Sequence, residues 1–355
     1  MALTEAKVLQ DGQTKLWKHT FSFAVSMALK CAVDLRVADI INSHGVPISL
    51  SQIAAKIDSP SPNIPNLERI MRLLVRKEIF SAHQRPNSEE TLYGLTASSR
   101  WFLHDSELSL APFISLQNSE WLMAPWYRLA QFVKESVPGG STGFSKCYGS
   151  EIFDFASKNH EFNKLFNAGM ESTATVMVDA ILTGYKDGFS SIGSLVDVGG
   201  GNGHMISKIV KAHPHIKGIN FDLPHVIAAA PKHKGVANVG GNIFEAIPKA
   251  DAIFMQRVLA SFNDEDSIKV LKNCLKAIPK ETGKVVIIDP LLDLENEGPF
   301  DEMIAALDLS MMMLCKGGQE RTKLEWQKIL EASGFLLNRV IKIPAVLTIV
   351  EAYPA

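Results

Sequence analysis

Residues Ser194 to His204 read SLVDVGGGNGH, and how this stretch is read decides the fold. An apolar run ends in Asp197, a glycine-rich turn follows, and the apolar-periodic segment MISKIVKAH begins at once. Glycine lets the backbone approach a ligand where a side chain would collide. The start of the following helix offers unpaired N–H groups. Strand, turn and helix together make a nucleotide-type cradle around Gly199, Gly201 and Gly203. The dinucleotide pattern GxGxxG would need glycine at position 204, where the chain has His204, and this disfavours NAD.

The next apolar run, GINFDL, ends in Asp222, about 20 residues beyond the turn, where a carboxylate can accept both hydroxyls of a ribose. The plainer alternative is that Asp222 only caps the helix after it. Acids on both sides of the glycines suit a ligand with a cationic amino acid end and a ribose, and S-adenosylmethionine is such a ligand. Further along, VANVGGNIF, ADAIFMQ, KVVIIDP, GFLLNRV and LTIVEAY alternate with helical segments. That alternation predicts a doubly wound α/β sheet.

Upstream, Gln13 to Leu35 keeps apolar residues at helical spacing, and shorter helices are expected over Ser49 to Ile57 and Asn66 to Lys77. Ser49 stands three residues before Gln52, a capping-box spacing. IFSAHQRPNSEETLYGLT reads as two short strands around a polar turn. Helix, turn, helix and hairpin in this order make a winged-helix unit over residues 1–110, leaving 111–355 for the α/β domain. NLERIMRLLVRK carries Arg69, Arg72, Arg76 and Lys77, as a DNA-reading helix would. It also carries Leu67, Ile70, Met71, Leu73, Leu74 and Val75, which favours packing and dimerisation over a phosphate-facing surface. The tryptophan-rich stretch SEWLMAPWYRLAQFV and the glycine-rich turn VPGGSTGF link the two parts, ahead of a helical region ending near Leu182.

The chain has 355 residues with Lys+Arg 36 against Asp+Glu 38, so no basic field draws it to nucleic acid or an anionic membrane. No segment supplies about 20 apolar residues free of charge, and the N-terminus lacks a basic region leading into an apolar run. Cys31, Cys147, Cys274 and Cys315 show neither a CxxC pair nor metal-type spacing. The expectation is a cytoplasmic protein with a small-molecule partner and no metal.

LVDVGGGNG, FDLPHVI, GGN-IF, NDED, GKVVIID and GGQERT occur in the order seen in plant small-molecule O-methyltransferases of the caffeic acid and isoquinoline alkaloid type, which the chain resembles over nearly its whole length. LKCAVDLRVADII is similar to that family's dimerisation domain. The resemblance implies a Rossmann-like methyltransferase domain behind a mostly helical winged-helix dimerisation domain, and a homodimer. It also implies S-adenosylmethionine as cofactor and a small aromatic acceptor in plant specialised metabolism. By register it places the cofactor on Asp197, Gly199, Gly201, Gly203, Asp222, Asn242, Ile243 and Gln256. The acceptor falls among Trp121, Trp126, Phe166, Met170, Ala260, Met311, Met312 and Cys315. Met311 to Met313 would otherwise read as plain core.

The family pattern breaks where its members read LKWILHDWSDE and this chain reads MQRVLASFNDE. Ala260 stands at the place of the histidine that takes a phenol's proton, Ser261 at the following aspartate and Phe262 at the tryptophan. Asn242 replaces an aspartate, Gln256 a lysine, and Cys315 a common asparagine. The two acids that flank the family's histidine have counterparts in Asp289 and Glu320, the candidate catalytic residues, although Glu320 could equally form an ion pair with a basic group such as Arg321. His204 and His225 lie in the cofactor motifs and are poor substitutes for the lost base.

A phenol with pKa near 10 is ionised to roughly one part in a thousand at pH 7, and a positioned base contributes about 10²- to 10⁴-fold. Without one, three readings stay open. The first is methyl transfer to an amine or an already acidic hydroxyl. The second is a non-methylating cyclisation or pericyclic reaction, in which a retained S-adenosylmethionine acts structurally or as a fixed charge. The third is a non-catalytic dimer partner.

Overall fold

The computed structural model describes residues 2–85, 88–134, 140–293 and 298–355. It divides into two compact units, Met1–Glu120 with Lys164–Thr173, and Trp121–Asn163 with Ala174–Ala355.

In the first unit, helices Ala2–Thr20, Ser22–Asp34, Val37–His44, Leu50–Ala54 and Ile64–Arg76 accompany a small antiparallel sheet. Its strands β1 (Ile48–Ser49), β2 (Phe80–Gln84) and β3 (Thr91–Leu95) lie in the order β1-β3-β2, the wing of a winged helix. Pro86 and Asn87 of the hairpin turn lie outside the described residues. The helical run expected from Gln13 to Leu35 is broken at Phe21, with φ −102° and ψ 10°. On either side, Thr20 Oγ1 donates to Leu16 O and Ser22 Oγ to His19 O, both at 2.8 Å, and such bonds compete with the helical ladder. The capping box is formed, with Ser49 N donating to Gln52 Oε1 at 2.9 Å. Helix Ile64–Arg76 buries Leu67, Met71 and Leu74 at helical spacing and leaves Arg69, Arg72 and Arg76 exposed. Its apolar stripe packs into the unit's core.

In the second unit a seven-stranded sheet is built from β4 (Ser194–Val198), β5 (Lys217–Asp222), β6 (Val236–Gly240), β7 (Ala252–Gln256), β8 (Lys284–Asp289), β11 (Phe335–Lys342) and β12 (Thr348–Pro354). The order is β11-β12-β8-β7-β4-β5-β6, with β4 to β8 parallel and β12 antiparallel to both neighbours. Each expected apolar run forms a strand. Because both faces are covered by helices, the parallel strands read as continuous apolar runs, and all six residues of β8 are buried. The strand order reverses between β4 and β7, which opens a crevice at their carboxyl ends. Two short parallel strands, β9 (Leu291–Leu292) and β10 (Arg321–Thr322), bring the segment before β10 against the end of β8.

The helix Ala2–Thr20 and its continuation expose Val8, Leu9, Leu16, Trp17, Phe21 and Phe23, with the Trp17 and Phe21 rings stacked at 6.0 Å. Large apolar side chains left exposed along one segment in this way mark an association face. Light scattering should give twice 38.9 kDa, and Trp17→Glu with Phe21→Glu should raise the monomer fraction at micromolar concentration. An unchanged dimer in that variant would move the interface elsewhere.

Candidate active site

The cradle forms where β4 ends. Gly199, Gly201 and Gly203 have φ of 70°, 57° and 78°, in the left-handed region that disfavours side chains. A Cβ on Gly200 would lie 2.3 Å from Asn220 Oδ1 and 2.9 Å from Asp197 Oδ2, whereas one on Gly201 would meet only open space. The glycine turn is therefore packed tightly underneath and open above. Asp222, at the end of β5, accepts from Gly201 N at 2.9 Å and from Leu223 N at 2.7 Å. Each carboxylate oxygen keeps a lone pair for a ligand hydroxyl. The helix Pro224–Ala229 has no side-chain cap bond, so the carboxylate serves the turn rather than that helix.

Asp197 and Asn220 are cross-strand partners beneath the turn, and both are buried. Asp197 Oδ2 and Asn220 Oδ1 have no hydrogen-bond partner. Burial, and then the charge of Asp222, push the Asp197 carboxyl up to about 8. An unpartnered carboxyl oxygen here fits a cationic ligand end, which would favour its ionised form. After β6, Asn242 is half-buried, its Oδ1 accepting from Phe244 N at 3.0 Å and its Nδ2 donating to Glu245 Oε1 at 3.3 Å. The half-buried Ile243 is held through its carbonyl by Asn273 Nδ2 at 3.0 Å. Gln256, also half-buried, ends β7. The Phe244 and Phe262 rings meet edge to face at 5.3 Å. These groups sit along the carboxyl ends of the strands, where a nucleoside could lie.

The second cluster forms at the end of β8. Ala260 is fully buried in the 3₁₀ turn Leu259–Ser261, and Asp289 and Glu320 are buried. What joins the two acids is Arg257. Its Nη1 donates to Glu320 Oε2 at 2.8 Å and to Asp289 Oδ1 at 3.4 Å, its Nη2 lies 2.8 Å from Glu320 Oε1, and Nη2 also contacts Met311 Sδ at 3.4 Å. Asp289 Oδ2 keeps no hydrogen-bond partner, and Glu320 Oε1 is held by the ion-pair contact with Nη2 without an aligned hydrogen bond. Burial raises the Asp289 carboxyl to about 7, with Arg257 opposing and Glu320 adding to the rise.

Sequence reasoning missed Arg257 and named Arg321 as the basic partner of Glu320. Adjacent residues of an extended segment point to opposite sides. Arg321 turns away, donating to Asp264 Oδ1 at 3.0 Å, Leu259 O at 3.0 Å and Phe262 O at 2.8 Å over the Trp326 ring. The available signal was a cation inside the apolar run FMQRVLAS, directly after a strand end.

Of the expected acceptor residues, the structure brings Ala260, Met311 and Cys315 to this cluster. Gln319 N donates to Ala260 O at 2.9 Å, and the buried Cys315 thiol, bonded to Ser261, is raised to about 11 by burial. Met311 and Met312 are half-buried on the helix Asp301–Leu314, whereas Met313 is core. Trp121 packs in a separate aromatic group, its ring 5.7 Å from Phe162, and Trp126 is half-buried in the 3₁₀ segment Ala124–Arg128. Phe166 and Met170 lie in the part of helix His160–Gly184 that belongs to the first unit. An open hollow of about 460 Å³, lined by Ala124, Tyr127, Arg128, Gln131, Cys147 and Tyr148, shares no residue with either cluster. His204 Nε2 lies 3.3 Å from Thr175 Oγ1, and His225 is exposed.

Two outcomes follow from this packing. Gly200→Ala should cost about 1–3 kcal/mol in denaturant unfolding, and Gly201→Ala only about 1 kcal/mol for its backbone strain; equal costs would contradict the contacts beneath the turn. Asp197 and Asp289 hold their protons more tightly when folded than when unfolded. Their stability contribution is complete below the unfolded carboxyl range and is lost as pH rises through about 7 to about 8. Thermal stability should fall across that window, and Asp197→Asn should flatten the slope.

Comparison with known proteins bears on the cofactor and the assembly. The sequence profile of the O-methyltransferase domain matches residues 126–336, and that of the O-methyltransferase dimerisation domain matches residues 17–105. Desmethylxanthohumol 6'-O-methyltransferase of Humulus lupulus is 50% identical over 350 residues, covering 96% of this chain and 98% of its own. (R,S)-reticuline 7-O-methyltransferase of Papaver somniferum is 46% identical, covering 97% of each chain. Among solved structures, LaPhzM superimposes with a TM-score of 0.79 at 29% identity, covering 97% of this chain and 99% of its own. The S-adenosylhomocysteine-bound form of CalO1, a methyltransferase in calicheamicin biosynthesis, gives 0.84 at 24% identity, covering 98% and 99%. No described helix is long and apolar enough to cross a membrane. The chain belongs to the S-adenosylmethionine-dependent O-methyltransferase family, and its dimerisation domain pairs two copies into a homodimer.

Proposed function

We propose that the protein transfers a methyl group from S-adenosylmethionine to a small aromatic acceptor, an amine or an already acidic hydroxyl, without a histidine base. The observation that carries this reading is the guanidinium of Arg257 on Asp289 and Glu320, with the buried Ala260 beside it. When bound, the cofactor supplies a methyl group made electrophilic by its sulfonium. Asp222 accepts the ribose hydroxyls, Asp197 faces the cationic amino acid end, and Gly199, Gly201 and Gly203 line its path. Asn242, Ile243 and Gln256 border the adenosine. Met311, Met312 and Cys315 form the acceptor wall nearest the acids.

Acceptor chemistry follows from what the site lacks. A neutral amine attacks with its own lone pair and releases a proton afterwards, and an acidic hydroxyl arrives ionised, so each needs orientation more than a strong base. Asp289, raised to about 7, is matched to take the proton that an amine gives up. The relatives named for desmethylxanthohumol, xanthohumol and reticuline make aromatic acceptors the first compounds to try. The same fixed ion cluster would suit a base-free cyclisation, in which the cofactor is not consumed.

Turnover chemistry separates these readings. Incubation with aromatic amines and acidic phenols should release S-adenosylhomocysteine in a one-to-one ratio with product, and product formed with no loss of S-adenosylmethionine would replace methyl transfer by cyclisation. For the cofactor site, Asp222→Ala should weaken S-adenosylhomocysteine binding about 10- to 100-fold by calorimetry, the worth of hydrogen bonds to a charged group. Unchanged affinity would remove Asp222 from the site.

A further inference from the structure

Arg257 is one of three non-glycine residues with positive φ among the described residues, at 57°. Such a backbone is strained for a residue with a side chain and persists only where its surroundings hold it. Here its N–H donates to Ile288 O at 3.1 Å on the neighbouring strand, and its guanidinium is bound at the far end by both acids and by Met311. The turn at Arg257 thus redirects the chain end of β7 so that its side chain crosses to the end of β8.

We propose that Arg257 is the positioning residue of the acid pair: it clamps Glu320 with both terminal nitrogens, shares Nη1 with Asp289 Oδ1, and leaves Asp289 Oδ2 as the atom that takes the acceptor's proton. Only the last clause rests on the methyl-transfer reading. Other charged or titratable groups lie around the pair without touching its carboxylates. Arg321 on β10 is tied to Asp264, Asp308 on the helix Asp301–Leu314 accepts the Glu320 N–H at 2.8 Å, and Cys315 follows that helix with a neutral thiol. Among the described residues, Arg257 is therefore the one cation in contact with both Asp289 and Glu320. Burial makes Asp289 hold a proton unusually well, and Arg257, shared with Glu320, offsets this only in part and keeps that affinity within reach of neutral pH. In the reaction the amine's lone pair forms the bond to the methyl carbon and the carbon–sulfur pair withdraws onto sulfur. The proton then shed by the methylated nitrogen passes to Oδ2 and makes a neutral carboxyl. Asp289 then returns the proton to solvent.

The test is a direct titration of Asp289 in the homodimer saturated with S-adenosylhomocysteine. Isotope-edited infrared spectroscopy of ¹³C-aspartate protein reads the carboxyl band, assigned by its loss in Asp289→Asn. The wild-type midpoint should lie at about 7, move up by about one pH unit or more in Arg257→Met as the opposing charge is removed, and return toward wild type in Arg257→Lys. A midpoint unmoved in Arg257→Met overturns the proposal. Should that variant fail to fold, Arg257→Gln takes its place, with the same upward move expected and an unmoved midpoint again fatal. The acid limb of the pH–rate profile should move with the band; a limb that stays fixed removes Asp289 as the proton acceptor. Because the titration involves no turnover, a responsive midpoint with no S-adenosylhomocysteine released during turnover would keep the positioning role and sink the methyl-transfer reading alone.

Discussion

One guanidinium shared by two buried carboxylates governs the chemistry this site can do. An unpaired carboxylate in a protein interior costs several kcal/mol after relaxation, and Asp289 and Glu320 stand side by side at the end of an all-buried strand. Such a pair must be neutralised by protonation, by a ligand or by a neighbour. Arg257 does most of this from within the chain, at 2.8 Å from each Glu320 oxygen and 3.4 Å from Asp289. Burial, which Arg257 offsets only in part, leaves Asp289 with a raised affinity for a proton.

Around this contact the framework is stiff. Gln319 and Arg321 flank Glu320 and both fasten to the 259–264 turn, Gln319 through Ala260 O and Arg321 through Leu259 O and Phe262 O. The turn, β10 and the end of β8 therefore hold each other in register. The cofactor cradle at the end of β4, two strands from β8, is built differently, by close approach of backbone to Asp197 and Asn220 rather than by charge. Asp197 and Asp289 are both buried acids with raised proton affinity, and they meet different demands: the first fits a cationic ligand end, the second a departing proton.

Much of this was legible in the sequence for physical reasons. Parallel strands buried on both faces leave uninterrupted apolar runs, so SLVDV, ADAIFMQ and KVVIIDP announce themselves. Ser49 with Gln52, and the acids at the ends of β4 and β5, are local patterns whose geometry follows from spacing. The break at Phe21 was hidden because Thr20 and Ser22 compete with the helix through hydroxyl bonds that hydrophobic periodicity does not register. Arg257 was hidden for a different reason. Its partners lie 32 and 63 residues away, and its role depends on a left-handed backbone angle that no residue-type preference signals for arginine. Local alternation could have shown that Glu320 and Arg321 face apart, but not which cation Glu320 would find.

The most direct measurement is a crystal structure of the homodimer with S-adenosylhomocysteine at neutral pH. The account predicts both terminal nitrogens of Arg257 on Glu320 near 2.8 Å, with Nη1 shared with Asp289. A guanidinium turned out to solvent, with Asp289 and Glu320 bridged by water or by another side chain, would contradict it.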